Sequence, residues 1–281
     1  NKYTAYALLG KVLLYQDKFA EAASALDNVI GVYSLVSDYG SQFLRFGENG
    51  PESVFEIQYS NQSNWYDWGC AHCSEGNYAI IMNGPRGWSG PEYAQGWSFN
   101  VPTAEFYNSF EEGDTRRDAT VLDIEAFAAA TGASYTEGYD HTGYFNNKYI
   151  PRAGESGGQT ELNYLTNFRI IRYSDVLLMA AEAYNRGGID DGLAQEFLNQ
   201  VRRRAFGGDD NDISASGTAL TDAIWEERKF ELSLEGHRFF DLVRTGRASS
   251  LITGFVEGKH EVFPIPQQEV DISGLTQNAG Y

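Results

Sequence analysis

The sequence predicts a mainly α-helical fold in which helical hairpins carry an irregular, loop-rich lobe containing short strands. Three observations predict it. Apolar residues recur at helical spacing near both ends of the chain, Gly pairs stop two of those periods, and a long aromatic middle segment has no period at all. With 281 residues, 42% of them hydrophobic and 21% charged, the chain has the composition of an ordinary globular protein with a sizeable core.

Taken in order, Tyr3 to Tyr15 is apolar nearly all round, with only Thr4 and Lys11 clearly polar. Such a helix is normally covered on several sides, so we expect sequence upstream of Asn1 to supply cover; Asn1 itself is suited to cap the helix. After Gln16-Asp17-Lys18, the residues Phe19, Ala22, Ala23, Leu26 and Val29 recur at helical spacing, and Gly10 and Ala22 are small enough for two helices to approach closely. Leu9, Gly10, Leu13, Phe19 and Ala22 fall at the spacing of a tetratricopeptide repeat, as they do in many tight helical hairpins.

Val54 to Tyr59 alternates Phe55, Ile57 and Tyr59 against Glu56 and Gln58, the pattern of a short half-buried strand. Residues 60–100 have no clear period, and Pro102 to Arg117 is predicted as one short helix with a charged end. A second hairpin follows, from Tyr173 to Arg186 and from Leu193 to Ala205, with Gly187-Gly188 and Gly207-Gly208 as stops. A third long helix is expected from about Leu220 to Glu235, and a short one from Arg238 to Thr245 beyond Gly236. The single domain 1–281 thus divides into a hairpin (1–33), an irregular lobe (54–170) and a C-terminal helical region (171–281).

Charge narrows the partners. A formal net charge of −18 repels phosphate backbones and anionic membrane surfaces, so we expect no nucleic-acid partner. No apolar run is long enough to cross a bilayer. Neutral or weakly charged molecules and other proteins remain.

The middle segment offers the functional signal. Trp65, Trp68, Trp88 and Trp97 lie there with Tyr66, Tyr78 and Tyr93 among them. Flat rings with a polar edge match the C–H face and hydroxyl rim of a sugar. Trp65, Tyr66 and Trp68 are therefore candidate stacking residues, with Asn64, Asn83 and Arg86 on the rim and Trp88 beside them. About half of these rings are expected to serve the lobe's own packing, Trp88 and Trp97 first because they flank Gly/Pro turns.

Catalytic and metal signals are sparse. Cys70 and Cys73 form the only cysteine pair, too few ligands for a structural zinc and more suited to a disulfide pinning a loop in an oxidising compartment. No metal or cofactor is expected. Glu227, Arg228, Glu231, Glu235, Arg238 and Asp241 fall within an arc of roughly 140° if one helical phase continues. We read them as a structural ion network, since a glycosidase acid and nucleophile usually face one another from separate elements. A hydrolase would draw instead on Glu105, Glu111 or Asp114.

With these segments in view, the chain resembles the SusD/RagB family. Arg172-Tyr173-Ser174-Asp175-Val176-Leu177-Leu178-Met179, Phe197 to Arg202, Ile224 to Arg244, Phe263-Pro264-Ile265-Pro266 and the ending Gln277 to Tyr281 are similar to its motifs and stand in its order. The resemblance covers nearly all of the chain and corresponds to the C-terminal portion of such proteins. It implies a SusD-like fold, with a tetratricopeptide-like scaffold bearing a ligand lobe, and a non-catalytic lipoprotein that captures polysaccharide or oligosaccharide. It implies an outward-facing position at the outer membrane of Bacteroidetes, a lipid anchor on an N-terminal cysteine outside this sequence, and a SusC-like TonB-dependent transporter as partner. RagB-like members imply peptide ligands as an alternative.

Overall fold

Asn1 caps the first helix: its side chain accepts hydrogen bonds from the Tyr3 and Thr4 amides at 2.9 and 3.0 Å. The structure is a computed structural model that describes residues 1–62, 68–157 and 162–281. It is mainly helical, with short strands. Two compact units divide the chain, Asn1–Glu235 and Gly236–Tyr281.

Helices α1 (Lys2–Tyr15) and α2 (Phe19–Asp27) form the first hairpin, and the strand β1 (Ser53–Ile57) follows. The lobe then contains α3 (Ala79–Asn83), β2 (Arg86–Ser89), α4 (Ala104–Asn108), α5 (Arg116–Thr120), β3 (Val121–Asp123), α6 (Ile124–Thr131), β4 (Ser134–Thr136) and β5 (Tyr144–Asn146). The strand β6 (Phe168–Arg172) returns the chain to the scaffold, and α7 (Tyr173–Arg186), α8 (Asp191–Phe206) and α9 (Gly217–Glu231) complete the first unit. In the second unit are α10 (Arg238–Arg244), α11 (Ala248–Leu251) and α12 (Gln267–Ser273).

α7 is the centre of the scaffold. Twelve of its fourteen residues are buried, which only a helix packed on several sides can achieve. It lies against α8, α2, α9 and α1, and Val176, Leu177, Leu178 and Met179 anchor the core. Each such side chain contributes about 1.5–3 kcal/mol on burial. Gly10 is buried against Leu26, the close approach of α1 and α2 that its lack of a side chain permits. The outer face of α1 keeps Leu8, Leu9 and Val12 exposed.

Three antiparallel ladders, β1–β6, β2–β4 and β3–β5, hold the lobe. β1 is half-buried, but on the opposite face from its apolar alternation. Phe55 and Ile57 are exposed at 46% and 40%, while Val54 and Glu56 are buried. The cause is Arg169 on the paired strand, 3.6 Å from Glu56, together with the Asn49 and Asn167 donors that complete the Glu56 carboxylate.

Two predicted helices differ. Residues 102–117 form not one helix but α4 and the start of α5, because the turn between them runs through Gly113 at φ +86°. The third long helix ends at Glu231, four residues early. Leu234 adopts φ +63° and Gly236 φ +86°, so the helical phase stops before Glu235.

Candidate functional site

Among the predicted ligand residues, Asn64, Trp65 and Tyr66 lie outside the described residues. Only the backbone of Trp68 is described, at the start of a 3₁₀ turn that runs to Cys73. Cys70 and Cys73 are joined in a disulfide that closes this turn.

Trp88 packs inward. Its ring centroid lies 5.9 Å from both Tyr93 and Phe127, and its Nε1 is buried without a hydrogen-bond partner among the described residues. That position belongs to the lobe's own apolar cluster with Leu122, Ile124 and Phe145. Asn83 and Arg86 are elsewhere, at the end of α3 and the start of β2. The segment Gly96–Phe99 runs beside them: Gly96, Trp97, Ser98 and Phe99 donate their amides to the carbonyls of Pro85, Ile81, Gly84 and Met82, at 2.7–2.8 Å. The fold therefore brings Asn83 and Arg86 together with Trp97 and Phe99. Sequence reasoning missed Phe99, although Trp97-Ser98-Phe99-Asn100 repeats the aromatic-polar composition of the chosen segment.

Two of the three candidate hydrolase carboxylates are engaged by arginines. Asp114 is buried and takes a two-pronged contact from Arg116, at 2.9 Å to Nε and 2.6 Å to Nη2. Glu111 pairs with Arg202 at 3.1 Å, and Glu105 is exposed in the first turn of α4.

The charged face of α9 forms an ion network. Glu227 accepts from Arg116 and Arg202, at 2.5 and 2.8 Å. Glu231 is met by Arg204, Arg172 and Arg116, at 2.6, 2.8 and 3.1 Å. Glu235 accepts from Arg172 and Lys148, at 2.8 and 2.7 Å. Burial alone would raise the Glu231 carboxyl, but the three guanidinium groups together hold it well below the usual range. Lys148 also donates to the carbonyls of Glu231 and Ser233, at and just beyond the end of α9, and the Glu231 carbonyl accepts from Tyr39 and Arg172 as well. Arg116 and Lys148 come from the lobe, so this network fastens the lobe to the scaffold. Opposite charges this deep bring little net stability; their effect is to fix geometry.

The sequence pattern that defines the SusD family matches residues 120–261, half of the chain. The chain belongs to the SusD family. It is 30% identical over its whole length to SusD-like protein P2 of Formosa agariphila and covers 60% of that protein. Among solved structures it is similar to a laminarin binding SusD-like protein, with 40% identity and a TM-score of 0.88 over 99% of this chain and 62% of the other. Surface glycan-binding protein A from Bacteroides thetaiotaomicron, solved in complex with laminarihexaose, gives 33% identity and a TM-score of 0.88 over 97% of this chain and 62% of the other. This SusD-family chain thus spans about three fifths of the length of such relatives, and those compared by structure are named for glycan binding.

Proposed function

We propose that this SusD-family chain captures a neutral glycan on its irregular lobe, without cleaving it, and delivers it to a SusC-like TonB-dependent transporter. The observation that carries the reading is the 40% identity, across 99% of the chain, to a protein named for binding laminarin. Trp65, Tyr66 and Trp68 are assigned to stacking and Asn64, Asn83 and Arg86 to the hydroxyl rim, while Trp88 packs within the lobe's own apolar cluster. Engagement of Asp114 and Glu111 by arginines favours capture over hydrolysis. The protein works at the cell outer membrane, facing outward, held by lipid on an N-terminal cysteine outside residues 1–281.

Affinity electrophoresis through gels containing laminarin, other neutral polysaccharides or acidic ones tests this, with product lengths analysed afterwards. Retardation by a neutral glucan without shortening supports capture, and its loss in a Trp65→Ala/Trp68→Ala variant supports the assigned platform. Shortened products would make the protein a hydrolase. Failure on every glycan would turn the reading to peptide cargo, for which tryptophan and tyrosine serve equally well.

A further inference from the structure

Phe99 is an apolar ring that the lobe holds out to solvent by force. It is 50% exposed, and the residues on both sides of it, Ser98 and Asn100, adopt φ +57° and +52°. Left-handed backbone costs a non-glycine residue about 1–2 kcal/mol, and serine tolerates it less well than asparagine. Yet the segment is firmly fixed. Besides its four amide bonds to residues 81–85, the buried Ser98 hydroxyl accepts from the Arg86 amide at 3.1 Å. Strain kept in a rigid, solvent-facing segment marks a place where the structure has been fixed for contact with something else.

The groups around the ring say what that is. The Arg86 guanidinium lies 5.7 Å from the Phe99 centroid, and its Nε donates to the Trp97 carbonyl at 2.7 Å. That bond leaves Nη1 and Nη2 without an acceptor among the described residues, on an exposed side chain. Trp97 meets Phe99 edge-on at 6.1 Å. Asn83 uses its Nδ2 on the carbonyls of Ala79 and Tyr149, while its Oδ1 accepts nothing among the described residues. The result is an apolar ring with guanidinium donors beside it and the Asn83 acceptor on the neighbouring stretch of backbone, all on a segment that is already fixed before binding.

We propose that Phe99, Arg86, Trp97 and Asn83 form a second sugar subsite, distinct in sequence from the Trp65–Trp68 segment. Its ligand is one pyranose of an extended glucan. A sugar with all its hydroxyls equatorial offers a continuous C–H face to the ring and oxygens at its edge to the guanidinium. An axial hydroxyl would break that face. The arginine serves as a hydroxyl donor at the edge of the sugar whose C–H face lies on the ring. The subsite rests on the glycan-capture reading and adds a contact that long chains reach and short ones do not.

Calorimetric titration with laminarin and with laminaribiose, alongside thermal unfolding, tests it in wild type, Phe99→Ala, Phe99→Tyr and Arg86→Met. Phe99→Ala should weaken laminarin binding about tenfold with little effect on the disaccharide, whereas Arg86→Met should weaken both ligands, and both variants should keep the wild-type thermal midpoint. Phe99→Tyr, which keeps the face, should retain affinity. Laminarin affinity unchanged in Phe99→Ala would overturn the subsite while leaving glycan capture standing. Loss of affinity that Phe99→Tyr fails to restore would also overturn it. A wild-type protein that binds no glucan would overturn both readings together.

Discussion

Arg172 donates through Nη1 to Glu231 at 2.8 Å, with both side chains essentially removed from solvent. The same guanidinium reaches Glu52 and Glu235, so one cation at the start of α7 is matched by three carboxylates from two segments, one before β1 and one at the end of α9. Glu231→Gln would leave Arg172, Arg204 and Arg116 facing a neutral amide. Breaking a buried network in this way costs about 3–5 kcal/mol, to be read as a lowered midpoint in urea. The pH response follows from the depressed carboxyl: its contribution is complete above the ordinary value of 4.5 and is lost as pH falls through the folded value. Wild type should therefore weaken on acidification more steeply than Glu231→Gln.

Lys148 gives the opposite signature. Burial lowers its pKa from 10.5 to about 8, although Glu235 opposes the shift. Below about 8 the amine is charged in both folded and unfolded chains, and it adds nothing to the slope. Between about 8 and 10.5 the unfolded chain holds the proton and the folded one releases it, so stability rises with pH. From pH 7.5 to 9.5 wild type should gain up to about 2 kcal/mol relative to Lys148→Met, measured by denaturant unfolding at each pH. At pH 7.5 the variant should be the weaker protein, since it removes one of the two cations on Glu235 and the Lys148 bonds to the Glu231 and Ser233 carbonyls.

Three tyrosines set the upper limit. Burial raises Tyr39 and Tyr149, with Glu231 and Glu235 adding to the shift, and burial raises Tyr164 to about 12. Their contribution is whole below the ordinary value of 10 and disappears as pH rises through the folded values. In a phenolate absorbance titration these three should ionise together with the loss of near-ultraviolet circular dichroism, after the exposed tyrosines. Early ionisation without unfolding would contradict their burial.

Two glycine substitutions separate backbone from side-chain contacts. A Cβ on Gly96 would run into the Gly84 backbone, whereas one on Gly10 would meet the branched end of Leu26. Gly96→Ala should cost about 1–3 kcal/mol and disturb the segment that holds Phe99, lowering glucan affinity as well. Gly10→Ala should cost less, because Leu26 can change rotamer, and should leave affinity unchanged. Thermal unfolding and laminarin titration check both.

The helices that were legible in the sequence are those whose period and stop signals are local. α7 and α8 combine an apolar helical period with a glycine stop, α1 is an apolar run capped by Asn1, and α2 shows its helical period alone. The end of α9 was not, because Leu234 takes a conformation usually left to glycine and nothing in its type announces it. The buried face of β1 was hidden for another reason: Glu56 points inward only because Arg169, more than a hundred residues away, receives it. Asn83 and Arg86 were chosen in the sequence as polar residues for the Trp65–Trp68 platform, and the structure sets their backbone beside Trp97 and Phe99. Phe99 was not, since its exposure depends on backbone angles at Ser98 and Asn100. Nor could spacing show that Arg116 and Lys148 would enter the acidic face of α9.

The pairing of β1 with β6 sets Ile57 directly opposite Phe168. The 110 residues from 58 to 167 therefore leave the scaffold and rejoin it at neighbouring points, like a cassette seated in a two-pin socket. Closing so long an excursion costs about 4 kcal/mol in chain entropy, and lengthening it further adds little. Recognition surfaces of different size and specificity can thus be exchanged in one piece while the helical frame stays the same. Such an exchange has one condition: the incoming segment must carry cations in place of Arg116 and Lys148, or Glu227, Glu231 and Glu235 keep only the scaffold's Arg202, Arg204 and Arg172 as counter-charges.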